Sequence, residues 1–324
     1  MPTPTSPAQL RSQRPEVPDP PPLADTLAAL GDGSVDAVLV ARLSDLGRDD
    51  ARTLGRAWCG FDAATREAIV RRMEELSEER MELTFGRALR VAIADESPVV
   101  RQLAVAALWE DHGDDLLGLF RDLVATDPSQ DVRAEAARGL DRFAERAADG
   151  ALDDVAAREL RDQLIETAGD ERNPLGVRRR ALESVAVLGS DAEILKLIQD
   201  AYEDEDESLR ASALVAMGRS LDERWLEVVL DELADPEAEL RFEAARASGL
   251  LGDDRAVPDL TRLVRDDDAE VRHAAIAALG QIGGRAAIRA LREMAVDPEE
   301  ADVEAIEAAL EEATAVDEPM RVGP

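Results

Sequence analysis

Few side chains in this 324-residue chain could bind a transition metal or act as a thiol nucleophile: His112, His273 and Cys59. Iron or zinc held by histidine needs several ligands at close spacing. Here His112 is followed by Gly113 and His273 by Ala274, so neither begins a His-Glu pair. Cys59 has no partner for an intramolecular disulfide, and in "GRAWCGF" it is expected to pack beside Trp58. Carboxylates are abundant, in runs such as "EDEDES", "RDDDAE" and "DHGDD". None of these runs has the Asp-x-Asp-x-Asp-Gly spacing of a calcium loop, so they read as solvated turns and helix caps. The expectation is no catalytic residue, no metal and no cofactor.

Arginine carries the other chemistry. "VRQLAVAALW", "VRAEAARGLD", "VRRRALESVA", "LRASALVAMG", "LRFEAARASG" and "VRHAAIAALG" each open with an apolar residue and an arginine. The arginines are Arg101, Arg133, Arg178, Arg210, Arg241 and Arg272, separated by 32, 45, 32, 31 and 31 residues. Six residues before five of them stands Asp95, Asp127, Asp204, Asp235 or Asp266, and Asp170 precedes Arg178 by eight. A turn aspartate can accept backbone N–H bonds and still offer a carboxylate to a guanidinium of its own or the adjacent repeat. The pairs therefore read as a structural ladder. That reading also addresses an oddity, because a cation in the first turn of a helix faces the positive end of its dipole.

The elements that hold these residues are helices. With the apolar residue before each arginine as position zero, positions +4, +7, +8 and +11 share one stripe, as in Ala275, Ala278, Leu279 and Ile282. Small residues recur at +4 and +7, which lets neighbouring helices approach closely. A second apolar helix follows each unit, as in "AVPDLTRLVRDDD" and "RWLEVVLDELADP". Two helices of about 12 residues cannot bury both faces alone, so the units must stack into an all-α solenoid. Helices are expected near 34–46, 49–58, 63–81 and 84–94 before the regular units. The 45-residue gap before Arg178 is expected to lengthen one helix pair. Near the C-terminus Glu304 is read at the ladder position, closing a cap.

The Asp–(five residues)–Arg spacing, with Val or Leu before the arginine and small residues after it, resembles the HEAT-like repeats, nearest to the short type named after phycocyanobilin lyases. The resemblance implies a right-handed α-solenoid of stacked antiparallel helix pairs. On this basis residues 1–22, with eight of the sixteen prolines, form a disordered tail. Residues 23–312 form the solenoid, with degenerate units to about 83, regular repeats over about 84–295, and a cap over about 298–312. Residues 313–324 form a flexible tail. Such repeats serve in scaffolds, adaptors, bilin lyases and a deoxyhypusine hydroxylase. The hydroxylase binds two irons through repeated His-Glu pairs; none exists here, so that activity is rejected.

Net charge is −33, which repels nucleic acid and anionic lipid. No apolar stretch approaches 18 residues and no hydrophobic signal core is present, so a soluble, cytoplasmic, monomeric protein is expected. By the resemblance, the Val-Arg helices line the concave face, with positions +2 and +6 outermost. These are Gln102/Ala106, Ala134/Arg138, Arg179/Glu183, Ala211/Val215, Phe242/Arg246 and His273/Ala277. One of the twelve is acidic, in a chain where 71 of 324 residues are Asp or Glu. Arg138, Arg179, Val215, Phe242, Arg246 and His273 are therefore the candidate contacts for an acidic or amphipathic protein or peptide. The expected function is a non-catalytic scaffold or adaptor; the alternative is a bilin- or cofactor-handling lyase-like protein. The metal reading gives a direct test: the purified protein, after dialysis, carries less than one equivalent of iron or zinc by elemental analysis.

Overall fold

A computed structural model describes residues 21–109, 111–113, 115–296 and 302–317. Every regular element among them is helical, and no strand is present among the described residues. The chain divides into two compact units, one ending at Asp111 and the other beginning at His112. The proline-rich stretch expected as a tail lies, through residue 20, outside the described residues, as do 297–301 and 318–324.

The first unit holds α1 (Leu23–Gly31), α2 (Ala37–Ala41), α3 (Arg48–Trp58), α4 (Ala63–Glu79), α5 (Gly86–Ala92) and α6 (Pro98–Ala107). Helix α1 was not among the sequence expectations, because a nine-residue helix directly after a proline run offers a weak periodic signal. The helix expected over 34–46 is only five residues long. It ends in a turn whose Asp45 adopts a left-handed conformation (φ 48°). Trp58 is buried, edge-to-face with Phe61 at 6.0 Å, whereas Cys59 is exposed and does not share its packing. The helix carries Cys59 just past its last turn, on the solvent side.

The second unit holds α7 (Asp115–Thr126), α8 (Gln130–Gly139), α9 (Asp141–Ala148), α10 (Asp154–Gly169), α11 (Leu175–Val185), α12 (Ala192–Tyr202) and α13 (Glu207–Arg219). It continues with α14 (Leu226–Glu232), α15 (Ala238–Leu251), α16 (Val257–Leu263), α17 (Ala269–Ile282), α18 (Gly284–Met294) and α19 (Val303–Asp317). The Val-Arg helices α8, α11, α13, α15 and α17 stack in sequence, followed by α19, with the alternate helices packed behind them. The long gap before Arg178 does lengthen one pair, α10 being 16 residues long, and it also inserts a third helix, α9, that the sequence reading did not expect. Its Phe143 is buried edge-to-face on Phe120 at 6.4 Å, with the Arg142 guanidinium over both rings.

Close stacking follows from the small residues. A Cβ added at Gly218 would lie 2.7 Å from the Ala247 Cα. One at Gly249 would lie 3.0 Å from the Ala278 Cα, and one at Gly280 would lie 2.9 Å from the Ala309 Cα. These glycines sit at position +9 and each meets the +7 alanine of the next stacked helix, so helix backbones touch without an intervening side chain. Ala244, Ala247, Ala275 and Ala278 are at most 1% exposed. The acidic turns close the units by capping helices. Asp206 accepts N–H bonds from Ser208 and Leu209 to start α13, and Asp268 accepts them from Glu270 and Val271 to start α17.

Paired substitutions test the stacking. In a helix interior alanine is normally better than glycine by about 0.5–1 kcal/mol. Gly118→Ala in α7, where nothing lies within 4 Å, should raise stability by that amount. Gly218→Ala should instead lower it by about 1–3 kcal/mol, because the new methyl meets backbone that cannot swing away. Urea unfolding of both variants reads the opposite signs.

Candidate partner-binding site

Two sets of arginines organise the site. The first arginine of each repeat helix reaches backwards. Arg101 donates from Nη1 to the carbonyls of Asp95 and Glu96 at 2.8 and 3.1 Å. Arg133 donates from Nε to the Val124 carbonyl at 2.8 Å, near the C-terminus of α7, and Arg178 to that of Ala168 at 3.1 Å, near the C-terminus of α10. Arg241 and Arg272 donate to the carbonyls of Asp235 and Asp266 at 2.9 and 3.0 Å. A cation that is poorly placed in its own first turn thus serves the negative end of the preceding helix and the carbonyls left open there.

The aspartate carboxylates are used twice. Asp95, Asp127, Asp170, Asp204, Asp235 and Asp266 each accept the N–H two residues on, at 2.7–3.0 Å. Where their other contact is an arginine of the ladder, it comes from the preceding repeat. Arg241 grips Asp266 through Nε and Nη2, both at 2.8 Å, and this holds the Asp266 carboxyl below the usual aspartate range. Arg210 lies 3.8 Å from Asp235 but bonds the buried Glu232 at 3.1 Å. The Tyr202 hydroxyl donates to the same Glu232 at 2.5 Å, and burial together with that bond raises the phenol to about 12.

Three rungs differ from the sequence reading. Asp170 is taken by Arg172 at 2.7 Å, which lowers its carboxyl to about 2, and is not paired with Arg178. Asn173 accepts from Arg133 in its place at 2.5 Å, because the longer turn displaces Asp170 from the stacked position. Glu304 does not occupy the ladder position. The buried Ile306, Ala309 and Ala313 set the register so that Asp302 stands at position zero, 31 residues after Val271. There Asp302 lies 3.6 Å from Arg272 and 2.9 Å from His273. Arg66 was missed: it lies 3.4 Å from Asp95 and bonds Glu96 at 2.9 Å, a rung without the Val-Arg signature.

The second set faces a recess of about 290 Å3 between the inner helices. Arg138, Arg179, Val215 and Arg246 of the expected contacts all line it. Phe242 and Arg246 line a neighbouring recess of about 270 Å3 with Leu250, Ala274, Ala277 and Gln281. Arg246 is common to both and lies 5.6 Å above the Phe242 ring. His273 lines neither, being bound to Asp302.

The ridge is not as free of carboxylates as positions +2 and +6 suggest, because position +3 also faces inwards. Glu135 and Glu243 stand there, one turn before Arg138 and Arg246, and pair with them. Burial raises the Glu243 carboxyl, with Glu183 and Glu239 adding to the rise against the opposing Arg246. The basic recess still carries five arginines (Arg138, Arg179, Arg180, Arg219, Arg246) against Asp141, Glu183 and Glu243. Arg180 pairs with Glu183 at 2.7 Å and Arg219 with Asp141 at 2.6 Å.

Arg179 differs from these. Its Nε donates to Ser212 Oγ at 2.8 Å, and Ser212 donates on to Glu183 at 2.7 Å. Glu239 lies 3.8 Å from Nη2, beyond hydrogen-bond distance, and the terminal nitrogens donate no hydrogen bond among the described residues. A fully buried serine thus orients a guanidinium fork whose outer edge stays available for a carboxylate. Ser212, at position +3, gave no sequence signal beyond being a small residue.

Residues 226–311 match the family described as HEAT repeats. The matched span runs from α14 into α19 and does not single out the phycocyanobilin-lyase type. Kap95p, from a structure concerned with its binding to RanGDP, is similar over 93% of this chain at 13% identity and a TM-score of 0.51. The chain spans 46% of that protein's length. YibA of Escherichia coli is similar over 87% of this chain and 97% of its own, at 19% identity and a TM-score of 0.48. Human deoxyhypusine hydroxylase is similar over 90% of this chain and 97% of its own, with 20% identity and a TM-score of 0.30. No curated protein matches the sequence. At these identities the likeness speaks to fold alone, and that fold is an α-solenoid. No helix among the described residues is long and apolar enough to cross a membrane.

The Arg241–Asp266 rung sets a stability test. Both side chains are at least four-fifths buried, so Arg241→Ala strands a carboxylate and should cost about 3 kcal/mol at pH 7. Because the folded carboxyl is depressed, its contribution is fully present above the unfolded value of about 3.9 and is lost as pH falls through the folded value. The deficit against wild type should be constant from pH 8 to 5 and shrink below about pH 4, read by urea titration at each pH.

Proposed function

We propose that this chain is a non-catalytic scaffold that binds an acidic, amphipathic protein segment along the inner helices of its second unit. One observation carries the reading: a basic recess and an apolar recess lie side by side and share Arg246. An acidic side chain meets the open edge of Arg179, and an apolar side chain one or two residues away meets Phe242 and Leu250. Arginine suits both halves, since its fork pairs with carboxylates and its stem covers apolar surface. Kap95p is a protein-binding solenoid of the same fold, which supports the class of function and not a particular partner.

The −33 background opposes an acidic ligand at long range, and the guanidinium contacts act within a few ångströms. Affinity should therefore rise from very low to moderate salt, as the background is screened beyond about 10 Å, and fall at higher salt. Partners are to be captured from the source cells, identified by mass spectrometry and titrated against purified variants. Phe242→Ala should weaken binding by about 2 kcal/mol if the ring is an anchor. Arg179→Glu should weaken it at least tenfold while leaving the melting temperature within a few degrees of wild type. Unchanged affinity in both variants removes the site from these helices.

A further inference from the structure

Helix α18 carries Arg285, Arg289 and Arg292, all exposed, at the i, i+4, i+7 spacing that places them in one row. None of the three guanidinium groups makes a hydrogen bond or ion pair with any described residue. Several exposed arginines elsewhere have a carboxylate partner one turn away, as in Arg71–Glu67, Arg72–Glu75, Arg180–Glu183 and Arg262–Asp259; Arg48 and Arg56 of α3 do not, but they are eight residues apart and form no such row. Along α18 the residues one turn from each arginine are Gln281, Ile282, Ala286, Ile288, Ala295, Val296 and the arginines themselves, with Glu293 the single acid. Like charges one turn apart work against the helix, so the row is not explained by the stability of α18.

Beside the row runs a groove of about 630 Å3, with Ile288 and Val296 on its α18 side and Thr314 of α19 opposite. Val296 is 83% exposed. Glu293 borders the groove as well, leaving three guanidiniums to one carboxylate. From Arg285 to Val296 is about 16 Å along a helix, three turns of a helical ligand.

We infer that the α18–α19 groove is a second docking surface, for an acidic amphipathic helix of a partner protein. Its carboxylates, spaced i, i+4, i+7, meet the arginine row while its apolar face enters the groove, the helix-in-groove mode of recognition. Charge decides the occupant. A second copy brings another −33, and a bilayer or nucleic acid brings a dense phosphate array, both repelled by the whole molecule. A short segment brings three or four charges within one screening length, about 8 Å, of the row.

The probe is a fluorescent 18-residue helical peptide with Glu at i, i+4 and i+7 and Leu on the adjoining face, titrated against the full chain. A scrambled peptide of the same composition is the comparison. Binding to the ordered peptide should be at least tenfold tighter than to the scrambled one. The Arg285→Glu/Arg289→Glu/Arg292→Glu variant should lose at least tenfold and recover binding to a peptide with Lys in place of Glu. If that variant fails to fold, Arg289→Gln should still weaken the ordered peptide severalfold. Equal binding of ordered and scrambled peptides, or no binding, overturns the inference. Loss on Arg179→Glu with none on the triple variant also overturns it, placing the peptide in the inner recess and leaving the proposed function standing. Sedimentation showing a dimer that the triple variant dissolves, or retention on vesicles of anionic lipid, would assign the face to those occupants instead.

Discussion

Where Gly218 meets Ala247, one helix backbone lies against another with no side chain between them. That contact, repeated at Gly249 and Gly280, fixes the spacing on which everything else in the second unit relies. Helices this close leave little room for aromatic packing, which is why a chain with 3% aromatic residues can still close its core. The same spacing brings the acidic turn of one repeat within a guanidinium's reach of the one before. A bulkier interface would hold Asp266 away from Arg241, and the rung would become a solvated pair worth little.

The charge distribution follows from that geometry. Carboxylates dominate, yet each turn aspartate has local duties, accepting an N–H two residues on and, in several repeats, an arginine from the previous unit. Among the described residues many further acids face solvent, while Glu135, Glu183 and Glu243 are largely buried beside arginines of the inner helices. Arginines are the scarcer sign, and most are engaged in pairs. Others are less engaged: the Arg179 terminal nitrogens donate no hydrogen bond among the described residues, with Glu239 at 3.8 Å, while the row on α18, like Arg48, Arg56, Arg158 and Arg265, makes no ion pair there. Binding capacity in such a molecule is read better from its unpaired cations than from its total charge.

Much of this was legible in the sequence because the repeat is strict. The period, the apolar stripe and the Asp–Arg spacing specify stacked helix pairs, and positions +2 and +6 include Arg138, Arg179, Val215 and Arg246 of the recess lining but not its other half. The rest escaped for identifiable reasons. The +3 position, about 100° from +2 on the helix, also faces inwards, and a ridge drawn through +2 and +6 alone leaves out Glu243 and Ser212. Arg66 follows a threonine instead of a valine and so broke the pattern by one residue. The insertion before Arg178 was read only as a longer helix, which α10 is, although the Asp149-Gly150 turn also marks the end of a separate helix, α9; that reading hid α9 and the transfer of a rung to Asn173. Asp302 occupies a position reserved for an apolar side chain, and no spacing rule anticipates a carboxylate there.

Helix α9 also alters how the unit can be assembled in time. Apart from Arg133–Asn173, 40 positions apart across the insertion, the rungs tie residues 22 to 30 positions apart, so each can form as soon as the next repeat has been synthesised. The pair between Asp141 and Arg219 spans 78 positions. It closes only after α10, α11, α12 and the whole of α13 exist. Until then the inserted helix is held by Phe143 and Arg142 on Phe120 and by its packing on α8, α10 and α11, without the ion pair to Arg219. The recess therefore cannot acquire its full lining on the nascent chain until Arg219 of α13, and then Glu243 and Arg246 of α15, have been added, long after α9 has emerged.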